Sequence, residues 1–395
     1  MIPLTMVLFT TWLVLAGFHL GLPLFYFTWM KRRAFGKSYG LNIVGDFSYL
    51  PRVTVIVPTY NEATVIRRKL GDIAHSNYPM DRLDVIVVDG GSTDHTVEEA
   101  WKSIESGVVK GEVLEEAERR GKTVGLNRGL KQATGELVCF SDAECEWDED
   151  ALRNAVTYFS DPMIGSVSGI HETRRDRNAL SVKVEDSYRS IYRMLRIAES
   201  KVYSTPVAEG ELQLFRKGQF VEFDTSIGGD DTWAALSMVQ KGFRAISAED
   251  VIFFEPTPAS WRARFSQKIR RGQHVVQAFL KHRGLLRGRG IFSRVIFPME
   301  IFLYIINPLL FPVFLATTLV LAIISLPFAV FIGAATVVAF LVPPLSKAAL
   351  THITNNLTML AALVNEAKGE KQLVWTKIEE NRSASPMAEI PVATG

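Results

Sequence analysis

Two long stretches without formal charge constrain this chain more than any other sequence feature. The first runs from Met1 to Met30 and the second from Ile301 to Ser346, and neither contains Asp, Glu, Lys or Arg. About 20 consecutive apolar residues span a bilayer as a helix. We therefore expect one transmembrane helix in residues 1–30, two in residues 291–346, and a soluble region between them.

The first stretch also allows a second interpretation, a cleaved signal peptide. Such peptides begin with a basic segment and end at a small-residue cleavage site, and neither precedes Lys31. Lys31-Arg32-Arg33 follow the stretch directly, and excess positive charge marks the cytoplasmic side of a membrane. We therefore predict a multi-pass protein of the cell membrane, with a cytoplasmic soluble region that ends near residue 290.

The second apolar stretch should turn back on itself at Ser325-Leu326-Pro327. The later apolar run from Leu357 to Val364 is short for a span, so residues 347–380 are expected to form an interfacial or cytoplasmic helix. Residues 381–395 are small and polar with two prolines, which is typical of a disordered tail.

The charged middle of the chain alternates between strand-like and helix-like patterns. Buried-type strands are predicted at Val53–Val57, Asp84–Val88, Glu136–Phe140 and Ile164–Ser168. Strands separated by helices predict an α/β fold with a mostly parallel sheet, in which ligands bind at the carboxyl ends of the strands. The formal net charge of +2 does not suggest a nucleic-acid binder, which usually shows a strongly basic face.

Two nucleotide-binding motifs are excluded. No G-x-G-x-x-G follows the first strand, so the dinucleotide-binding fingerprint is absent. Gly121-Lys122-Thr123 resembles the end of a P-loop, but that motif needs a glycine at the position of Glu116.

Acidic residues follow the predicted strands, and each allows a structural and a functional interpretation. Asp89 either caps its own turn or accepts hydrogen bonds from a base or ribose. Asp142-Ala143-Glu144 is either a surface motif or a site for a divalent cation, which prefers oxygen ligands. Asp230-Asp231 either caps a helix, or one of the two carboxylates serves as a general base. Gln267 to Arg271 either contacts lipid headgroups or belongs to the site.

Taken together and in this order, the motifs are much more specific than any one of them. They resemble the family-2 glycosyltransferases, and more narrowly the membrane-embedded branch that includes cellulose and hyaluronan synthases. The resemblance runs from about Val53 to Arg271, and Glu255-Pro256 and Trp375–Glu379 also fit it. The motifs that carry it are Pro58–Glu62, Asp89–Asp94, Lys122–Asn127, Asp142–Glu144, Asp230-Asp231 and Gln267–Arg271.

The resemblance implies a GT-A nucleotide-sugar domain in residues 31–290, with interfacial helices at its end, and a reaction that inverts the anomeric carbon. It also implies a role for each matching residue. Thr59 and Glu62 would surround the nucleoside, Asp89 would read the base, and Lys122 would neutralise a phosphate. Asp142 and Glu144 would hold Mg²⁺ or Mn²⁺, with Glu in place of the family's second Asp. Asp231 would be the base, with Asp230 in place of Glu, and Gly210 opens an acceptor-side loop that ends at Arg216.

The clearest departure from the family lies in the Q-x-x-R-W motif of its processive members. Gln267 and Arg270 are retained, but Arg271 takes the place of the tryptophan that stacks on an acceptor sugar. A fixed charge suits an anionic acceptor group better, although Arg271 would instead pair with a nearby carboxylate if the acceptor binds elsewhere.

We therefore predict transfer of a single sugar to a membrane lipid. The preferred donor is a UDP-sugar, and a GDP-sugar is the second choice. The alternatives are a processive polysaccharide synthase and an inactive, membrane-tethered nucleotide-sugar binding protein. The sequence makes no prediction of oligomeric state.

Overall fold

The computed structural model describes residues 3–35, 45–172, 180–220, 222–255 and 260–370. Pro256, the Trp375–Glu379 segment and the expected tail at 381–395 lie outside these residues.

The described residues form a sheet of eight strands and a set of helices on and beside it. The strands are β1 Val53–Thr59, β2 Leu83–Asp89, β3 Gly111–Glu115, β4 Leu137–Phe140, β5 Glu146–Trp147, β6 Ile164–Glu172, β7 Gln213–Arg216 and β8 Arg244–Phe254. The helices are α1 Leu4–Ala16, α2 Leu22–Phe35, α3 Ile66–Ala74, α4 Thr96–Glu105, α5 Lys122–Gln132, α6 Ala151–Thr157, α7 Leu180–Val202, α8 Asp230–Gln240, α9 Trp261–Lys281, α10 Phe297–Ile301, α11 Asn307–Ile324, α12 Leu326–Leu341 and α13 Pro343–Ala367.

The strand order is β3-β2-β1-β4-β7-β6-β8-β5. Strands β1 to β4 are parallel to one another, as expected for strands joined by helices. Four of the seven pairings among the described strands are parallel, and the exceptions are β7, which is antiparallel to both β4 and β6, and β5, which is antiparallel to β8. The sheet is therefore mixed. The sequence did not reveal β7 because two of its four residues are polar, and it was assigned to a loop.

The parallel half of the sheet is buried on both faces. Val53, Val55 and Val57 belong to the core on one side, whereas Ile56 belongs to the core on the other. This split follows from the period of two in a strand. Helix α5 packs so closely on the second face that a Cβ at Gly129 would lie 2.8 Å from Cγ2 of Ile56.

Because β1, β2 and β4 are parallel neighbours, their carboxyl ends share one edge of the sheet. Thr59 ends β1, Asp89 ends β2, and Asp142 follows β4 by two residues. The topology therefore brings these predicted site residues together.

Two helical segments in the described residues are long and apolar enough to cross a membrane, Leu4–Phe35 and Phe292–Ile324. The first joins α1 and α2 through a π-helical turn at Gly17–Gly21 and continues past the predicted end at residue 30. The break at Ser325 lies where the sequence predicted a turn.

The region after Ser325 differs from the prediction of a second complete span. Helix α12 has 16 residues and meets the criteria of a span only together with Leu345–Ala367, at a bend of 107°. Helix α13 packs against α9 and α7, and its Met359 and Ala362 belong to the same core as Tyr26 and Met30 of α2. It therefore connects the apolar helices to the soluble domain.

Candidate active site

Two cavities open at the carboxyl edge of the sheet, and Lys122 and Asp142 line both of them. The smaller cavity, with an empty volume of about 630 Å³, is enclosed by loops that follow β1 to β4 and includes Thr59, Glu62 and Glu144. The larger, of about 1270 Å³ including its open part, lies between the sheet and helices α7, α9 and α13. Its lining includes Gly210, Asp230, Asp231, Gln267, Arg270 and Arg271.

Lys122 forms ion pairs with two carboxylates at the junction of the cavities. Its Nζ lies 2.7 Å from Oδ1 of Asp142 and 2.8 Å from Oδ2 of Asp230. Lys122 is the first residue of α5, and Gly121 before it adopts φ +107°, a conformation that a side chain disfavours. Burial alone would lower the pKa of Lys122, but the two carboxylates raise it above its usual value. The ammonium group is therefore a fixed positive charge.

The adjacent carboxylates Asp230 and Asp231 differ in their proton affinity. Burial opposes the charge of Asp230, but its charge interaction and hydrogen bond with Lys122 lower its pKa below the usual value. Burial and the neighbouring charge of Asp230 raise the pKa of Asp231 to about 6. Asp231 accepts a hydrogen bond of 2.6 Å from the backbone N–H of Thr232. Of the two, Asp231 is therefore the better proton acceptor, and its assignment as the base stays a prediction.

Close packing brings Gly210 against Asp231. A Cβ at Gly210 would lie 3.3 Å from Cβ of Asp231, so a larger residue would press on the carboxylate. Glu211 of the predicted acceptor-side loop also lines the cavity, whereas residues 212–216 do not. The end of this loop is strand β7, and Arg216 donates to the backbone oxygens of Phe159, Asp161 and Ile164.

Asp89 holds its own loop together. Its carboxylate accepts hydrogen bonds from Thr59 Oγ1, the backbone N–H groups of Gly91 and Ser92, and Ser92 Oγ. A carboxylate has about four acceptor positions, so these four donors fill them. Asp89 is 2% exposed and is not part of the lining of the smaller cavity. The geometry therefore agrees with the structural interpretation of Asp89, and a role in reading a base would require the loop to rearrange.

Asp142 and Glu144 both line the smaller cavity, and Asp142 is half-buried. Among the described residues, no group of three or more His, Cys, Asp or Glu side chains is arranged to hold a metal ion. Two carboxylates at the junction are nevertheless the oxygen donors that a hard divalent cation prefers. The chemistry of this pair therefore fits a cation that takes its other ligands from a bound diphosphate.

Arg271 is paired with two buried carboxylates. One of its terminal nitrogens lies 2.8 Å from Oε1 of Glu211 and 2.6 Å from Oε1 of Glu255. Burial would raise the pKa of Glu255, but Arg271 and Arg189 lower it to about 2. Burial raises the pKa of Glu211 to about 7 in spite of Arg271. The positive charge of Arg271 is thus compensated within the protein, and the expectation that it attracts an anionic acceptor loses its support.

The two other residues of this motif lie nearby. Gln267 Nε2 is 3.5 Å from Oε1 of Glu255, at the limit of a hydrogen bond. Arg270 lines the larger cavity. Its burial, and to a smaller extent the positive charge of Arg271, lower the pKa of Arg270 from the usual value. A lowered value for an arginine still leaves it charged near neutral pH.

Sequence reasoning missed the wall of the larger cavity that the helices form. This wall includes Arg189, Tyr192, Tyr304, Asn355, Thr358 and Met359. Glu255, which fixes Arg271, was noticed only as part of a motif. The available signal was weak, since these residues come from separate helices and no local pattern joins them.

Comparison with known proteins identifies the chemistry of such a site. Residues 54–222 match the model of Glycosyl transferase family 2. A mannosyltransferase of Pyrobaculum calidifontis, PcManGT, whose structure was solved in complex with GDP-Man and Mn²⁺, is 35% identical. That match covers 92% of this chain and 100% of the mannosyltransferase, with a TM-score of 0.79.

Two further relatives match about three fifths of the chain. The glycosyltransferase AglE of Haloferax volcanii is 28% identical over 246 residues, which are 61% of this chain and 78% of AglE. A poly-beta-1,6-N-acetyl-D-glucosamine synthase of Staphylococcus aureus is 26% identical over 241 residues, 60% of this chain but only 55% of the synthase. The extent of the first match and the agreement among all of them show that the chain is a glycosyltransferase of family 2 with a GT-A fold.

Proposed function

We propose that the enzyme transfers one sugar from a nucleotide-diphosphate donor to a membrane-lipid acceptor by a single inverting displacement. The observation that carries this proposal is the junction of the two cavities at Lys122 and Asp142. A donor in the smaller cavity would bring its diphosphate to Lys122. An acceptor in the larger cavity would then approach the anomeric carbon from the side of Asp231.

The proposed step needs no covalent sugar–enzyme intermediate. An acceptor hydroxyl oxygen forms a bond to the anomeric carbon as the bond from that carbon to the diphosphate oxygen breaks. The hydroxyl proton goes to Asp231, whose raised pKa of about 6 still leaves it ionised at neutral pH. The leaving nucleoside diphosphate keeps the electron pair, and Lys122 and Arg270 stabilise its growing negative charge.

We propose that Asp142 and Glu144 hold Mg²⁺ or Mn²⁺ when the donor binds. A divalent cation there would neutralise the diphosphate and make it a better leaving group. The solved relative with bound Mn²⁺ supports this proposal without deciding between the two metals.

For the donor, the relatives change the order of preference that the sequence suggested. The sequence favoured a UDP-sugar because of Asp89, but that carboxylate is occupied by its own loop. The relative with the highest identity quoted above was solved with GDP-Man. We therefore propose GDP-mannose as the first donor to test, and UDP-sugars as the second.

The membrane-lipid acceptor is supported by the position of the larger cavity. Its walls include Tyr304, which lies within the apolar segment Phe292–Ile324, and Met359 of α13. A lipid headgroup at the membrane surface would reach this cavity without leaving its bilayer. We further propose that the soluble domain is cytoplasmic. Lys31-Arg32-Arg33 lie where the first apolar segment meets this domain, and excess positive charge marks the cytoplasmic side of a membrane.

The deciding experiment incubates the purified enzyme, in vesicles, with radiolabelled GDP-mannose or UDP-sugars and a membrane lipid extract. We expect label from one donor to enter the lipid fraction, and Asp231→Asn to abolish this incorporation. Failure of every donor to label lipid would reject the proposal. For the orientation, a cysteine at the exposed Ser106 should resist labelling from outside intact cells.

A processive synthase is the second candidate, because one relative is a poly-beta-1,6-N-acetyl-D-glucosamine synthase. The pairing of Arg271 with Glu211 and Glu255 does not favour either candidate. Sizing the product separates them: a single added sugar supports the proposal, and a ladder of long oligosaccharides supports the synthase.

A further inference from the structure

A cluster of polar side chains lies between helices, and its members are not part of the lining of either cavity. His19 is fully buried in the π-helical turn of the first apolar segment. Its Nδ1 is 2.7 Å from Oδ1 of Asn307 in α11, and its Nε2 is 3.0 Å from Nε2 of His352 in α13. We call His19, Asn307 and His352 the histidine clamp, since together they join three separate helices.

The hydrogen bonds of the clamp satisfy one another. The amide oxygen of Asn307 accepts, so Nδ1 of His19 carries the proton and its Nε2 has a lone pair. His352 then donates from its own Nε2. Phe311 and Phe314 surround the His19 ring at 5.5 and 5.2 Å between centroids, which keeps the cluster apolar on its outside. Polar groups in such surroundings are costly unless paired, so separating the helices at this point is unfavourable.

The clamp is connected to the larger cavity through helix α13. Asn355, Thr358 and Met359 follow His352 by one to two turns and line the cavity. Asn355 donates to the hydroxyl of Tyr192 at 2.9 Å, and Met359 packs so tightly on α9 that a Cβ at Gly272 would lie 2.6 Å from its sulfur.

The far end of α13 is held by α9. Oε2 of Glu366 accepts hydrogen bonds from Nε2 of Gln273 at 2.9 Å and of Gln277 at 2.7 Å. Helix α13 is therefore fixed at Glu366 beside the soluble domain and at His352 among the apolar helices. The cavity-lining residues lie between these two attachments.

We infer that the histidine clamp positions α13 as the acceptor-side wall of the larger cavity, so that His19 and His352 are positioning residues for acceptor binding. This inference rests on the proposed function, which assigns that cavity to the acceptor. Loss of the clamp would release one end of α13 and loosen the wall. The smaller cavity contains no residue of α13, so the donor side would be unaffected.

The test compares His19→Leu, His352→Leu and the double variant in vesicles, with GDP-mannose as donor and farnesyl phosphate as acceptor. We expect each single variant to raise the acceptor KM about tenfold, since small misplacements at a site have large kinetic effects. Hydrolysis of GDP-mannose to mannose, which needs no lipid, should stay within about twofold of the parent. The double variant should be no worse than His19→Leu, because that variant already removes the contact with His352 as well as the one with Asn307.

Two matched controls separate positioning from general damage. Thr318→Val removes the hydrogen bond from Trp12 Nε1 to Thr318 Oγ1, which also joins the first apolar segment to α11 but does not involve α13. It should leave the acceptor KM unchanged. His352→Gln keeps a side-chain N–H donor and should retain most of the parent's affinity. An unchanged KM in the leucine variants, or an equal rise in Thr318→Val, would overturn the inference.

A second measurement does not depend on transfer. Spin labels on cysteines introduced at the exposed Leu357 of α13 and Leu280 of α9 report the distance between the helices, because Cys139 and Cys145 are buried. We expect one narrow distance distribution in the parent and a broad one in His352→Leu. If the parent transfers no sugar, the proposed function fails while this readout still decides the clamp: an unchanged distribution rejects it.

Discussion

The two cavities that meet at Lys122 are built in different ways. The smaller one is formed by loops at the ends of neighbouring parallel strands, so a few short motifs supply its lining. The larger one is formed between the sheet and helices from distant parts of the chain, from Arg189 to Met359. The first depends on local sequence and sheet topology, and the second depends on how helices pack. We therefore expect changes in the first to alter chemistry and most changes in the second to alter acceptor binding.

The largest effect that follows from this contrast is loss of the metal. Chelation with excess EDTA, or Asp142→Asn, should lower transfer by at least about 10³-fold, since both remove charge stabilisation from the leaving group. Calorimetry of GDP-mannose binding with and without Mn²⁺ should show that the metal strengthens binding. Near-normal transfer in excess EDTA would show that Asp142 and Glu144 have no metal role.

The next effect concerns the base, which lies on the acceptor side. Asp231→Asn keeps the shape but removes the proton acceptor, so kcat should fall by about 10²-fold or more while donor affinity persists. Steady-state kinetics together with donor binding would measure the two separately. If Asp230→Asn were inactive and Asp231→Asn active, the base would be the other member of the pair.

A smaller effect is the dependence of turnover on pH. Because burial and Asp230 raise the pKa of Asp231 to about 6, its carboxylate is protonated below that pH, and kcat/KM should fall about tenfold per unit there. Asp230→Asn removes a negative neighbour, which favours ionisation of Asp231, so the midpoint of this fall should move to lower pH. A midpoint that stays in place would assign the titration to another group, with Glu211 as the nearest candidate.

The smallest effect on chemistry is expected at Arg271. Its removal leaves Glu211 and Glu255 buried without their shared cation. Breaking a buried ion pair lowers the free energy of unfolding by about 3–5 kcal/mol, and we expect a smaller loss here because the Arg271 side chain is 39% exposed. Arg271→Leu should therefore lower the temperature of thermal inactivation, whereas kcat of the surviving enzyme should change by less than about tenfold. Adding Glu255→Gln to Arg271→Leu should recover part of the stability. A large loss of kcat in Arg271→Leu with unchanged thermal stability would instead indicate that Arg271 contacts the acceptor directly.

The sequence predicted well wherever one segment determines the outcome. The strands β1, β2 and β4 follow from runs of β-branched and apolar residues, and their parallel pairing brings Thr59, Asp89 and Asp142 to one edge. Each of these residues was predicted from its own short motif, although their roles stay predictions. The apolar segments at both ends were also recognised from composition, which needs no knowledge of the fold.

The sequence could not reveal features that depend on contacts between distant segments. The pairing of Arg271 with Glu211 joins residues 60 positions apart, and the contact of His19 with His352 joins residues 333 positions apart. The sequence allowed Asp89 to cap its own turn, but the fourth donor, Thr59 Oγ1, comes from the end of β1 and depends on the pairing of the strands. The antiparallel strand β7 was missed because two of its four residues, Gln213 and Arg216, are polar, whereas all four residues of β4 are apolar.

The shared lysine has a consequence for the order of binding and release. Lys122 has two carboxylate partners within the protein, so in the proposed function a donor diphosphate would have to exchange with Asp142 or Asp230 and would not meet an unpaired cation. The net gain from that contact is the difference between two ion pairs, which is smaller than either. The same exchange runs backwards after transfer, when the carboxylates compete with the nucleoside diphosphate for the ammonium group. An internal pair of competing anions thus limits how tightly the product is held and favours its departure.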